Sequence, residues 1–133
     1  MGKKIERFKK EVSFVIPVAP VTKKNSQMII TNGKGKRMII PSEAYRQYEK
    51  DASLFVPKLK INEKVNVKAV FYMKTRRIVD LTNLNEALHD MLVHAGCLED
   101  DNCMIVASTD GSRVKYDKEN PRTEVTITKA EEE

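Results

Sequence analysis

The chain has 133 residues, with 24 Lys or Arg against 19 Asp or Glu and two cysteines. That length fits one domain, and no apolar run reaches the roughly 18 residues of a membrane span. Two cysteines are too few for a disulfide framework, so a reducing cytoplasm is expected. The opening stretch, Met1 to Glu11, is charged and carries no apolar core of a secretion signal. Residues 1–40 hold ten basic and two acidic side chains, whereas residues 41–133 hold fourteen and seventeen. A basic third joined to an acidic remainder fits a polyanion gripped at one place and a cation held at another. Solubility alone accounts for the same imbalance.

Residues 1–10 read as a solvated basic lead-in. Val12 to Val18 alternate weakly and predict a strand ended by Pro17 and Pro20. A polar loop, Val21 to Ser26, follows. Two apolar runs, Met28 to Thr31 and Met38 to Ile40, flank Asn32-Gly33-Lys34-Gly35-Lys36-Arg37 and predict a hairpin, because Asn and Gly accept positive φ. Ser42 is a candidate N-cap for a helix with Ala44, Tyr45, Tyr48, Ala52 and Phe55 on one face, stopped by Pro57. Lys64 to Met73 alternate as a half-buried strand. A second helix is expected over Thr82–Ala95, with Leu84, Ala87, Leu88, Met91, Leu92 and Ala95 facing inward and Gly96 closing it. Cys103 to Thr109 and Ser112 to Tyr116 read as strand around an Asp110-Gly111 bulge or turn. Arg122 to Thr128 read as a final strand, and residues 130–133 as a frayed tail. These elements predict a single α+β (mixed α/β) domain, one mixed sheet with two main helices and both an early and a late hairpin.

Two acidic stretches flank the second helix: Val79-Asp80-Leu81-Thr82-Asn83 and Leu98-Glu99-Asp100-Asp101-Asn102. A strand returning beside the helix could carry Asp100 and Asp101 towards Asp80. Gathered carboxylates in a basic chain suggest a divalent cation facing phosphate. The plainer readings are that Asp80 caps the helix and that Asp100 and Asp101 lie in a polar turn. Glu86 and Asp90 lie on the polar stripe of the helix, where solvation accounts for both. Neither His89 with His94 nor Cys97 with Cys103 has zinc-site spacing. No phosphate-binding glycine loop or nucleophile motif is present.

Taken together, Asp80-Leu81-Thr82-Asn83-Leu84, Ala87-Leu88-His89-Asp90-Met91-Leu92 and Ala95-Gly96-Cys97-Leu98-Glu99-Asp100-Asp101 resemble the RusA family of Holliday junction resolvases. The family pattern is Asp-x-Asp-Asn, a helix with a further Asp, a Gly, and an Asp-Asp pair opening a strand. The basic opening with Pro20, Lys23, Lys24 and Asn25 is also similar. The resemblance implies a Mg²⁺-dependent endodeoxyribonuclease of recombination and repair. It would act as a homodimer and nick four-way DNA junctions symmetrically. It would be bacterial and cytoplasmic, encoded on a chromosome or a prophage. It implies Asp80, Asp101 and Asp100 as catalytic and metal-binding residues, with Thr82, Glu86 and Asp90 as further candidate ligands. Candidate contacts to DNA are Lys23, Lys24, Asn25, Lys34, Lys36, Arg37, Lys74, Arg76, Arg77 and Asn83. Two departures stand out. Thr82 replaces the second Asp of the first motif, and Glu86 falls where the family has Lys, leaving Lys74, Arg76 and Arg77 as candidate sources of that positive charge. A non-catalytic junction-binding module of the same fold is the alternative, and a basic arm binding RNA or a protein partner is a third reading.

Overall fold

The computed structural model describes residues 8, 10–23, 27–41 and 43–130. Most of the basic lead-in, the Ser42 cap and residues 131–133 of the tail therefore lie outside the described residues. Among the described residues nine elements follow one another: β1 (Glu11–Ile16), β2 (Gln27–Thr31), β3 (Arg37–Pro41), α1 (Glu43–Ser53), β4 (Val65–Met73), α2 (Leu81–His94), β5 (Val106–Ser108), β6 (Arg113–Tyr116) and β7 (Arg122–Lys129). The α+β expectation holds.

β4 organises the molecule. Val65, Val67, Ala69 and Phe71 alternate along it and are all buried, as the period of two requires. It pairs antiparallel with β7 on one side and parallel with β5 and β6 on the other, and β1 closes the far edge against β7. The parallel connection from β4 to β5 runs through α2, which lays Leu84, Ala87, Leu88, Met91 and Leu92 into the same core as Val125 and Ile127 of β7. A parallel pair needs such a crossover, because a two-residue turn cannot reverse the chain twice. Helix α1 docks on α2, where the Tyr45 hydroxyl donates to the Ala87 carbonyl at 3.3 Å.

The early hairpin forms as expected, β2 pairing antiparallel with β3. Its turn is tied by Asn32, whose side-chain oxygen accepts from the amides of Lys34 and Lys36 at 2.9 Å each. Gly35 takes φ 77° there.

The late hairpin does not form. β5 and β6 lie end to end along one edge of β4, and β7 lies on its other edge. The chain between β6 and β7 crosses the end of β4, where the Asp117 amide donates to the Met73 carbonyl at 2.9 Å. Arg122 holds this crossing, with its guanidinium on Asp117 and Glu124 at 2.9 Å each and stacked on the Tyr72 ring.

Two shorter corrections follow. Cys103 to Ile105 are turn rather than strand, because the Asn102 side chain and carbonyl accept from the amides of Met104, Ile105 and Val106. On α1, Ala44 is exposed and Phe55 is 46% exposed beyond the helix end, while Val56 fills the core position.

Candidate active site and nucleic-acid interface

The first acidic stretch sits where β4 hands over to α2. Asp80 is extended (φ −91°, ψ 121°) and is the N-cap of α2. Its Oδ1 accepts from the Thr82 amide at 2.9 Å and its carbonyl from the Leu84 amide at 3.1 Å. Asp is favoured there because the first amides of a helix have no intrahelical acceptor. The carboxylate is exposed, as is Thr82, and Asn83 is half-buried.

Asp80→Ala should therefore cost about 1 kcal/mol of stability, whereas Asp80→Asn, which keeps a capping oxygen, should cost a few tenths. Urea midpoints of the two variants check this. Equal losses would mean that the cap contributes nothing.

The loop before Asp80 presents Lys74, Arg76 and Arg77 to solvent, and Ile78 between them and Asp80 is 98% exposed. Arg76 rests on the Tyr116 ring, its guanidinium carbon 4.2 Å from the centroid. Earlier in the chain, Lys34, Lys36 and Arg37 are exposed at the β2–β3 turn. Lys24 and Asn25 lie outside the described residues.

The second acidic stretch is built differently. After α2, Gly96 and Cys97 accept through their carbonyls from the amides of Lys60 and Ile61, and Leu98 is buried. This zipper fixes where Glu99, Asp100 and Asp101 emerge. Asp100 Oδ1 accepts from the Asp101 amide at 2.7 Å. The Asp101 carboxyl is pushed above its ordinary range, first by partial desolvation and then by the neighbouring acids Asp90 and Asp100. Asp101 thus faces Asp90, in the C-terminal half of α2.

Asp90 is engaged on another side. Lys23 Nζ donates to Asp90 Oδ2 at 2.7 Å. That hydrogen bond raises the Lys23 ammonium above its ordinary value, opposed by desolvation and aided by the charges of Asp90, Glu86 and Glu49. No local signal could have found this pair, because its members are 67 positions apart. His89 is half-buried, and desolvation holds it below its usual range.

The structure therefore brings Asp90 close to Lys23 on one hand and to Asp101 on the other, and leaves Asp80 at the other end of α2. Ten residues of helix separate Asp80 from Asp90, a rise of about 15 Å. The return strand is parallel to β4, so it begins beside the far end of the helix rather than beside Asp80. Among the described residues, no group of three or more His, Cys, Asp or Glu side chains is placed to hold a metal ion. The oxygen donors are of the hard type that suits Mg²⁺, yet within one chain they are not assembled around a common point.

Comparison with known protein families supplies the remaining fact. The model of the endodeoxyribonuclease RusA family matches residues 17–128. The chain belongs to the RusA family. A comparison with curated proteins gave no match. The RusA match spans every strand and helix from the β2–β3 hairpin through β6, and so includes Asp80, Asp90, Asp100, Asp101 and Lys23. The family is one of endodeoxyribonucleases, and membership makes nuclease activity the activity of its members. No helix among the described residues is long and apolar enough to cross a membrane.

Proposed function

We propose that this RusA-family chain is a structure-selective endodeoxyribonuclease that resolves four-way DNA junctions by paired, symmetric nicks in recombination and repair. It works as a cytoplasmic homodimer with Mg²⁺ as its cofactor. The observation that carries the dimeric form of this reading is the separation of Asp80 from the Asp90–Asp101 pair along α2. A twofold dimer can set the N-terminal end of α2 in one protomer beside the return loop of its partner. Each of two equivalent sites then draws acids from both chains. Two sites related by a twofold axis suit incision of two strands across a branched substrate.

The basic residues are read as contacts to the DNA backbone. Lys34, Lys36 and Arg37 extend on the hairpin, and Lys74, Arg76 and Arg77 precede Asp80. Contacts of this kind position DNA without reading its sequence. Each neutralised phosphate should steepen the log–log salt dependence by about 0.9.

A non-catalytic junction-binding module has specific support in Thr82 and Glu86, which depart from the family pattern, and in the use of Asp80 as a helix cap.

Mixing two dead variants separates these readings. Wild type should nick a synthetic four-way junction in Mg²⁺ and stop in chelator. Asp80→Asn and Asp101→Asn should each be inactive. If sites are shared across the dimer, re-equilibrating the two variants together restores one intact site per mixed dimer, and single nicks return. Mixtures that stay inactive would sink the shared site. Wild type that binds junctions tightly without nicking them under any divalent cation would establish the binding module.

A further inference from the structure

Lys23 stands in the segment between β1 and β2 and reaches across to α2. Its ammonium donates to Asp90 at 2.7 Å and lies 5.7 Å from the centre of the Tyr45 ring. The Lys23 and Asp90 side chains are 31% and 35% exposed, so the pair sits at a rim open to solvent on one side. An ion pair that open adds little to stability. Asp90 is also near enough to Asp101 for the two carboxyls to interact, and Asp100 adjoins Asp101. Along the helix, the residue one turn before Asp90 is Glu86, whose like charge at i,i+4 repels rather than pairs. The cation that α2 does not supply to Asp90 thus arrives from a distant part of the chain.

We propose that Lys23 is a positioning residue of the nuclease site, fixing the Asp90 carboxylate beside Asp101 and offsetting the charge of the acid group when a DNA phosphate approaches. This rests on the nuclease reading above. Like-charged carboxylates spread apart unless a cation lies between or beside them. A phosphate entering such a group meets the same repulsion. Lys23 acts through Asp90 and contributes its charge from a side that α2 and the return loop leave open. A lysine is suited to this, being a compact charge on a long stem that needs no planar fork of partners.

The test uses the full chain and a synthetic four-way junction. Lys23→Met keeps the stem and removes the charge. It should lower kcat on the order of 10- to 100-fold with KM changed less than about threefold, as when a group matters mainly in the transition state. Its melting temperature should stay within a few degrees of wild type. Lys23→Arg should recover most of the rate. In the Lys23→Met background, Glu86→Lys should recover at least about tenfold, because a lysine at 86 lies at i,i+4 from Asp90 and can replace the missing partner. Lys23→Met with wild-type kcat overturns the proposal. So does a loss confined to KM with a shallower salt dependence, which marks a plain phosphate contact. A loss that neither cation rescues overturns it as well. Wild type that cleaves no DNA removes the nuclease reading and this proposal with it. Cleavage by wild type alongside indifference at Lys23 removes this proposal alone.

Discussion

Replacing Asp101 by Asn is expected to lower junction cleavage by on the order of 10³-fold while leaving the protein slightly more stable near neutral pH. The two effects have one cause. Asp101 is pressed against partial desolvation and two neighbouring acids, which raise its carboxyl above the ordinary range. A carboxyl with a folded-state pKa above its unfolded value binds its proton more tightly when folded. Its contribution to stability is complete below the unfolded value and is lost as pH rises through the raised folded value. At neutral pH the ionised carboxylate is therefore a small cost, and the neutral amide relieves it. The side chain is exposed, so the gain is modest. Urea midpoints at pH 7 and near pH 3 should show the variant ahead at the first and level at the second. Lower stability at pH 7 would mean that Asp101 is held by favourable contacts instead. Undiminished cleavage would remove it from the reaction.

Phe71→Ala is expected to cost about 3–5 kcal/mol, a large part of the roughly 5–15 kcal/mol that holds a domain of this kind together. Phe71 is 1% exposed in the C-terminal half of β4, opposite Thr123 of β7 and Val114 of β6. Its ring fills the space under α2, and neighbours anchored in three strands have little freedom to collapse into the gap. Phe55→Ala is the control, since that ring lies beyond the end of α1 and is 46% exposed. It should cost less than about 1 kcal/mol. Denaturant midpoints of the two variants measure the difference directly. A small effect at Phe71 would mean that the space above β4 can close.

Why some of this was legible in the sequence, and some not, follows from the range of the interactions. The alternation along β4 and the 3.6-residue stripe of α2 are local patterns, and the buried residues match them position by position. The turn from Asn32 to Arg37 and the Gly96 stop are equally local, since each depends on the backbone freedom of one glycine, Gly35 in the first. Phe55 misled because the apolar stripe of α1 runs on past the point where the chain leaves the helix. Which strands pair is a contest among distant partners. Nothing near Tyr116 says that the next strand must cross to the other edge of β4, a choice settled by the turn that Arg122 ties. The site divides the same way. The capping pattern at Asp80 is written in its neighbours. The contacts of Asp90 with Lys23 and Asp101 depend on three segments docking together, so the sequence offered Lys23 as a candidate DNA contact and not as a partner of Asp90.

The outer edge of the sheet beyond β4 is two short strands rather than one long one. Asn66 reaches into the interruption, its side-chain oxygen accepting from the Ser108 hydroxyl and the Asp110 amide at 2.7 Å each, and the Ser112 hydroxyl accepts from the Ala69 amide at 3.0 Å. Side chains thus take the place of ladder hydrogen bonds that an unbroken strand would have made with β4. A continuous row of free amides and carbonyls is a template for a foreign chain, and a kinked, self-satisfied border is a poor one. Two short strands set end to end therefore make this flank a poorer template for an added strand than one long strand would.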